Sequence, residues 1–525
     1  MSGSLPLLAA GLGVVALVTL VAPRLRTPAP ILLALAGVLV SLFAPLEHVA
    51  LDPELILIGF LPPLLYADAF HTSWVHFRRW LRPILMLAIG LVALTILAVG
   101  WVAHALLPEL PLAGCFLLGA IVSPTDTVAT QAVIERLRVP RRMTAILGGE
   151  SLVNDATGLV GVQLALVVLL SGVFEAGEVA VAFARVAGLG IVIGIAIGGL
   201  FSYANKLVRD TQALFALSLL SPYLAFLVAD QLEASGVLAV VAAGFVVAWR
   251  IHHVEAQSRV ELYSAWNLLT YLLNGFCFVY IGLETPWLLR DLSPAGDRHV
   301  LVAGVAITVV CVVARFAWCF PGTYVPLRLS AKLRELEGGA PPWRNVVIVS
   351  WCGVRGAVSL AAALAVPATF DDGSPFEGRR VIVACTLIVI LLTLFLQGWT
   401  LQPLVRALGV REDADGEHEH SFAREKILGA GIARLDAFCS ERSCPLAVHR
   451  FRAAMADELA ALSAADAALQ KEAAERVAVS AEVRRAVHAA QEAELLSLRD
   501  SGAINDRTYV ELQLELDRAQ DDGKR

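Results

Sequence analysis

The chain has 525 residues, 57% of them hydrophobic and only 17% charged, with a mean hydropathy of +0.70. Soluble domains carry about a quarter charged residues, so an ordinary water-soluble enzyme is excluded, and nothing in the charge pattern suggests nucleic-acid binding. The formal charge of -6 conceals a partition: residues 411–525 hold 16 Lys/Arg against 23 Asp/Glu, whereas 1–410 hold 25 against 24.

Apolar stretches of roughly 20 residues, each able to cross a bilayer core, recur through 1–410. Thirteen spans are predicted, at 5–22, 28–45, 54–70, 82–107, 111–137, 143–171, 178–204, 212–230, 234–250, 260–284, 299–327, 344–367 and 378–407. The first apolar run has no basic segment before it; Arg24 and Arg26 follow it. That order suits a first membrane helix rather than a signal peptide. Loops after odd-numbered spans carry 17 basic residues and loops after even-numbered spans only 4, Arg290, Arg298, Arg379 and Arg380. By the positive-inside rule this bias places the N-terminus outside and the C-terminus in the cytoplasm. The expected fold is an all-α polytopic membrane domain over 1–410, followed by an acidic, helical cytoplasmic tail over 411–525.

Six of the eight cysteines lie in apolar stretches, where a free Cys acts as a small hydrophobe. Cys439 and Cys444 stand in the tail sequence CSERSC; with no second Cys/His pair at zinc spacing, neither a metal nor a redox site is expected there. His418 and His420 read as part of a solvated acidic linker. The end of the tail reads as a helix, a turn at Ser501-Gly502, and a further helix.

Ionisable groups at membrane depth are costly and mark functional sites by default. Three segments hold most of them. In span 5, GAIVSPTDTVAT (119–130) sets Asp126 beside Pro124, among Ser123, Thr125 and Thr127. Proline removes a backbone donor and clashes with the preceding turn, so the helix is expected to break here. In span 6, LGGESLVNDATG (147–158) places Glu150 with Asn154, and Ser151 with Asp155, on shared helical stripes. In span 12, SWCGVRGAVSLAAAL (350–364) sets Arg355 between Gly353 and Gly356. An arginine at that depth needs a partner, and Glu150, Asp126 and Asp155 are the candidates. Spans 5 and 12 are seven crossings apart and so run in opposite directions. Paired interrupted helices of inverted orientation point to a secondary transporter with its site near the midplane.

SPTDTVAT, GGESLVNDATG and GVRGAVSLA, with the earlier FLPPLLYADAF (60–70), resemble in order the signature segments of the monovalent cation:proton antiporter family, the Na+/H+ exchangers of NhaP and NHE type. The resemblance covers most of 1–407. It implies two inverted-topology repeats and exchange of Na+ for H+. Asp155 is implied as the main carboxylate exchanging cation for proton, with Asn154 its neutral neighbour. Asp126, Ser151 and the Thr125 carbonyl would complete the Na+ site. Glu150 would pair with Arg355 and orient the core. The Asn-Asp pair implies electroneutral one-for-one exchange, and the family implies a homodimer in the cell membrane with roles in pH and sodium homeostasis. Arg315, in span 11, reads equally as a second core arginine or as a residue reaching the membrane surface.

The residues support the same chemistry without the resemblance. Na+ is a hard cation suited to carboxylate, hydroxyl and carbonyl oxygens. Burial favours the protonated form of a carboxylate and a nearby cation the charged form, so proton and cation compete for one site. No P-loop or other nucleotide motif is present; the ion gradients supply the energy and no cofactor is expected beyond the transported ions. The competing readings are K+/H+ exchange on the same fold, then a passive cation channel. An intramembrane aspartyl protease using Asp126 and Asp155 is the remotest, because its GxGD pattern is absent.

Overall fold

The computed structural model describes residues 4–25, 27–43, 55–126, 128–137, 139–171, 176–291, 298–369, 376, 378–410, 414–441, 446–463, 467–501, 512, 513 and 516. Thr127, Cys444 and Gly502 with the predicted helix after it fall largely or wholly outside these residues. Among the described residues the chain is helical, with no β-sheet. It divides into two compact units, Met1–Glu412 and Asp413–Arg525.

The first unit opens with α1 (Ser4–Leu25) and α2 (Ala29–Phe43). A π-helical turn, Leu55–Phe60, leads into α3 (Leu61–His71), and the short α4 (Trp74–Arg79) follows. Next, α5 (Leu81–Leu85), a π-helical stretch Met86–Leu91 and α6 (Val92–Leu106) run on as one rod. The predicted break in span 5 is present: α7 (Leu112–Val122) stops, residues 123–126 are not helical, and α8 (Val128–Leu137) resumes. Five helices follow: α9 (Arg141–Ser171), α10 (Ala176–Leu207), α11 (Thr211–Gln231), the shorter α12 (Gly236–Trp249) and α13 (Ala256–Asp291). After α14 (Arg298–Leu329) and the short α15 (Ala331–Leu336) comes the second break, between α16 (Trp343–Trp351) and α17 (Ala357–Leu364), and α18 (Gly378–Leu408) closes the unit.

A helix, whole or interrupted, thus occupies each of the thirteen predicted stretches. Among the described residues seven helices are long and apolar enough to cross a membrane, and four shorter apolar helices, Gly11–Ala22, Ala29–Phe43, Leu112–Val122 and Gly236–Trp249, accompany them. Large apolar side chains such as Leu17, Val192, Val302 and Val313 point outward and exposed, as a surface facing lipid tails requires. Where polar loops meet helices, side chains take up free backbone donors: Asp210 accepts from the Ala213 N–H at 2.8 Å, and Ser235 from the Leu238 N–H at 3.3 Å.

Packing sorts these helices into two groups. In one, α2 lies along α13, α10 along α12, and α12 along α3, with α1 and α11 beside them. In the other, α6, α7 and α9 pack together with α14, α16, α17 and α18. Lipid gives helices little hydrophobic reason to associate, so close approach through small residues carries the packing. Gly190, Gly194 and Gly198 form such a stripe on α10, resting on the backbone of Ser235, Ala239 and Ala243. At its polar rim the second group is clamped by Glu337, just after α15 and 6% exposed. Its carboxylate takes Arg82 Nε at 2.5 Å and Arg142 Nη2 at 3.0 Å, and Arg142 also lies 4.3 Å over the Trp80 ring. Cys115, Cys277, Cys311, Cys319, Cys352 and Cys385 are buried and free, as apolar filling should be.

The second unit holds α19 (Ala414–Glu441), α20 (Leu446–Ser463) and α21 (Ala467–Asp500). Ion pairs tie them: Arg452 to Asp436 at 2.5 Å and Arg476 to Asp457 at 2.8 Å. The Arg452 guanidinium holds the Asp436 carboxyl below its usual range, so this contact is present at neutral pH and is lost only as pH falls through that lowered value. Cys439 is disulfide-bonded, which departs from the expectation of no redox chemistry in CSERSC. Cys444, the other cysteine of that sequence, lies outside the described residues.

Gly194→Ala puts a methyl onto the Ala239 carbonyl, whereas Gly199→Ala meets nothing within 4 Å. Overpacking costs about 1–3 kcal/mol, so Gly194→Ala is expected to lower the melting temperature of the purified protein and Gly199→Ala to leave it unchanged or raise it.

Candidate functional site: a carboxylate cavity at crossed helix breaks

The two breaks meet. The Asp126 N–H donates to the Val354 carbonyl at 2.7 Å, joining the interrupted segment of span 5 to that of span 12. Each break exposes two helix ends, one with free N–H groups and one with free carbonyls. Asp126 serves the N–H ends: its Oδ1 accepts from the Val128 N–H at 2.8 Å, at the start of α8, and the carboxylate also accepts from the Ala357 N–H, at the start of α17. Gly356 lets it come this close, because a Cβ there would fall on the Asp126 carboxylate.

Arg355 serves the carbonyl ends. Its Nε donates to the Val122 carbonyl at 2.8 Å, where α7 stops, and Nη1 donates to the Gly353 carbonyl just beyond α16. Its own N–H donates to Thr393 Oγ1 on α18 at 3.1 Å. An anion at two positive ends and a cation at two negative ends is the favourable arrangement for helix dipoles.

This corrects the expected ion pair. Glu150 pairs with Arg315, not with Arg355: Arg315 Nη2 donates to Glu150 Oε2 at 2.7 Å, and Nη1 to Oε1. Both side chains are 1% exposed, and Arg315 Nε donates further to the Val349 carbonyl at 3.1 Å. The reason is positional. Arg315 sits on the unbroken α14, where its planar fork reaches the carboxylate bidentately; Arg355 sits inside a break whose open carbonyls take its donors first. Arg315 is therefore a core residue, not one reaching the membrane surface.

From this frame α9 presents its polar stripes. Thr125 Oγ1 donates to Glu150 Oε1 at 3.2 Å, Asn154 Nδ2 donates to Thr125 Oγ1 at 2.7 Å, and Ser151 Oγ donates to the Thr125 carbonyl at 3.2 Å. Thr125 is thus held on three sides. Asp155 differs. It is only 6% exposed, yet its carboxylate makes no hydrogen bond to another described residue.

What faces Asp155 is a cavity. Asp126, Ser151 and Asp155 line it from one side with Val128, Ala357, Val358 and Ala361; α3 and α13 line the other through Leu61, Leu64, Leu65, Asp68, Asn274 and Cys277. Of the predicted site residues, Asp126, Asp155 and Ser151 reach the cavity. Thr125 and Asn154 stand behind it, and Glu150 and Arg355 brace it. Asp68 was missed. It lies within FLPPLLYADAF, the one acidic residue of an apolar stretch, and the cost of a charge there was the available signal. Among the described residues no group of three or more His, Cys, Asp or Glu could hold a metal ion.

Interrupted helices crossing at mid-depth, beside buried carboxylates on a cavity, define a secondary transporter for cations. Comparison with known proteins places it further. The chain belongs to the sodium/hydrogen exchanger family, whose transmembrane description matches residues 12–407. It is 34% identical over 511 residues to an uncharacterized Na+/H+ exchanger of Mycobacterium tuberculosis, spanning 95% of this chain and 92% of that protein. It is 32% identical over 426 residues to a sodium, potassium, lithium and rubidium/H+ antiporter of Bacillus pumilus, covering 78% of this chain and 62% of that one. In fold it resembles the sodium proton antiporter MjNhaP1 of Methanocaldococcus jannaschii, with a TM-score of 0.60 at 21% identity over 76% of this chain and 97% of that one. The protein is an antiporter that exchanges Na+ for H+ across a membrane.

Removing one partner of a buried pair costs about 3–5 kcal/mol. Glu150→Ala and Arg315→Ala should each lower the melting temperature strongly, and the double variant should regain part of the loss. A double-mutant cycle on stability is expected to show a larger coupling for 150 with 315 than for 150 with 355; the reverse order would contradict the pairing.

Proposed function

We propose that the cavity is the cation site and that exchange arises from competition there. An isolated charged carboxylate out of water is costly, so Asp155, without a hydrogen-bond partner among the described residues, holds either a proton or a cation. Asp126 and Ser151 supply further oxygens and Asp68 a third carboxylate on the opposite side. The Thr125 carbonyl, already accepting from Ser151, acts from behind as a positioning group. The Asp155 carboxylate, on a cavity and without a hydrogen-bond partner among the described residues, is the observation that carries this reading.

Because Asn154 is neutral and hydrogen-bonded to Thr125, the adjacent pair offers one exchangeable charge, which favours electroneutral exchange of one Na+ for one H+. Alternation of access follows if the helix group carrying Asp126 and Asp155 shifts against the group carrying Asp68, moving the cavity's opening from one membrane face to the other. The 17-to-4 distribution of basic residues in the loops favours an outside N-terminus and a cytoplasmic tail in the cell membrane. A homodimer serving pH and sodium homeostasis completes the proposal. A second reading, K+/H+ exchange, is favoured by one observation: the Bacillus pumilus relative is named for potassium as well as sodium.

In proteoliposomes, Asp155→Asn is expected to abolish Na+-dependent collapse of an imposed pH gradient while the purified variant melts cooperatively near the parent temperature. Retained flux would rule out Asp155 as the exchanging carboxylate. Parallel runs with Na+, Li+ and K+ assign the cation: a response to K+ equal to that with Na+ supports the second reading.

A further inference from the structure

On the wall formed by α13, Asn274 and Cys277 lie three residues apart, on one helical face, and both line the cavity opposite Asp126 and Asp155. Their neighbours Leu272, Leu273, Phe276 and Phe278 are apolar. An asparagine is a poor helix former and an unpaired carboxamide in a membrane helix is costly. Asn274 nevertheless makes no hydrogen bond to another described residue. It lines instead the cavity that Asp126 and Asp155 also line. Cys277 offers sulfur, a soft donor ill-suited to Na+, so the carboxamide oxygen of Asn274 is the hard donor on this wall.

We infer that Asn274 is a cation-affinity determinant: its amide oxygen contributes to the Na+ shell, directly or through one water, from the helix group opposite Asp155. This rests on reading the cavity as the cation site. The chemistry makes a specific demand. Proton and Na+ compete for the carboxylates, and a carboxylate oxygen stabilises both. An amide oxygen stabilises the cation but takes no proton in this range. Asn274 therefore sets how tightly Na+ binds without setting how tightly the proton binds.

The test measures KM for Na+ against pH in proteoliposomes containing the full chain. At alkaline pH, where protons no longer compete, KM is flat; below a break point it rises. Asn274→Ala is expected to raise the flat KM about tenfold, the worth of one charge-assisted contact, with Vmax and the break point unchanged. Asn274→Asp, which adds a titratable oxygen, should move the break point. Asn274→Ser, keeping a neutral oxygen on a shorter arm, should fall between wild type and alanine. A flat KM unchanged in Asn274→Ala overturns the inference, and so does a break point that moves together with KM. Failure of both the alanine and serine variants to fold overturns it in favour of a packing role. Asp155→Asn in the same assay separates the two levels: exchange surviving there overturns the cavity reading itself, whereas its loss beside an unaltered Asn274→Ala overturns only the role of Asn274.

Discussion

A backbone group left without a partner in the hydrocarbon core costs several kcal/mol, and this protein interrupts two membrane helices in one place. Everything else at the site depends on how the four resulting helix ends are satisfied. Asp126 takes the N–H ends of α8 and α17, and Arg355 takes the carbonyl ends of α7 and α16. The two charges are thus fixed by backbone rather than by each other. Asp126 is consequently held at the cavity by groups that cannot move independently of the helices, the preorganisation that the proposed cation site calls for. Its placement also depends on the missing side chain of Gly356.

The rigidity behind that crossing has a separate source. Glu150 and Arg315 form a buried, bidentate pair joining α9 to α14, and Glu337 clamps Arg82 and Arg142 at the polar rim. Both networks join the same helix group, one at mid-depth and one near its end. Buried pairs contribute little net stability but penalise separation heavily. They therefore suit the proposed shift of this helix group as one body. The cavity lies where that body meets α3 and α13, so a shift between the groups changes the surroundings of Asp155 without breaking either network.

Much of this was legible in the sequence because the membrane makes polar residues expensive. The proline beside Asp126 and the glycines around Arg355 announced the two breaks, and the stripes of Glu150, Ser151, Asn154 and Asp155 announced the face of α9. Two features were not legible. A buried arginine was assumed to need a carboxylate, yet the broken helices supply carbonyls that satisfy Arg355; span order does not reveal that α14, not the break, brings an arginine to Glu150. Asp68 and Asn274 escaped for a different reason. Each is an isolated polar residue within a locally apolar run, and only tertiary packing shows whether such a residue faces lipid, a neighbour or a cavity.

The proposed exchange requires that Na+ and a proton exclude each other at the carboxylates of this cavity. The most direct measurement is proton release from the purified, detergent-solubilised protein in weakly buffered solution as Na+ is added at a pH where the site is protonated. Release that saturates with Na+ at close to one proton per protomer, and vanishes in Asp155→Asn, is the predicted result. Saturable Na+ binding without proton release would contradict it.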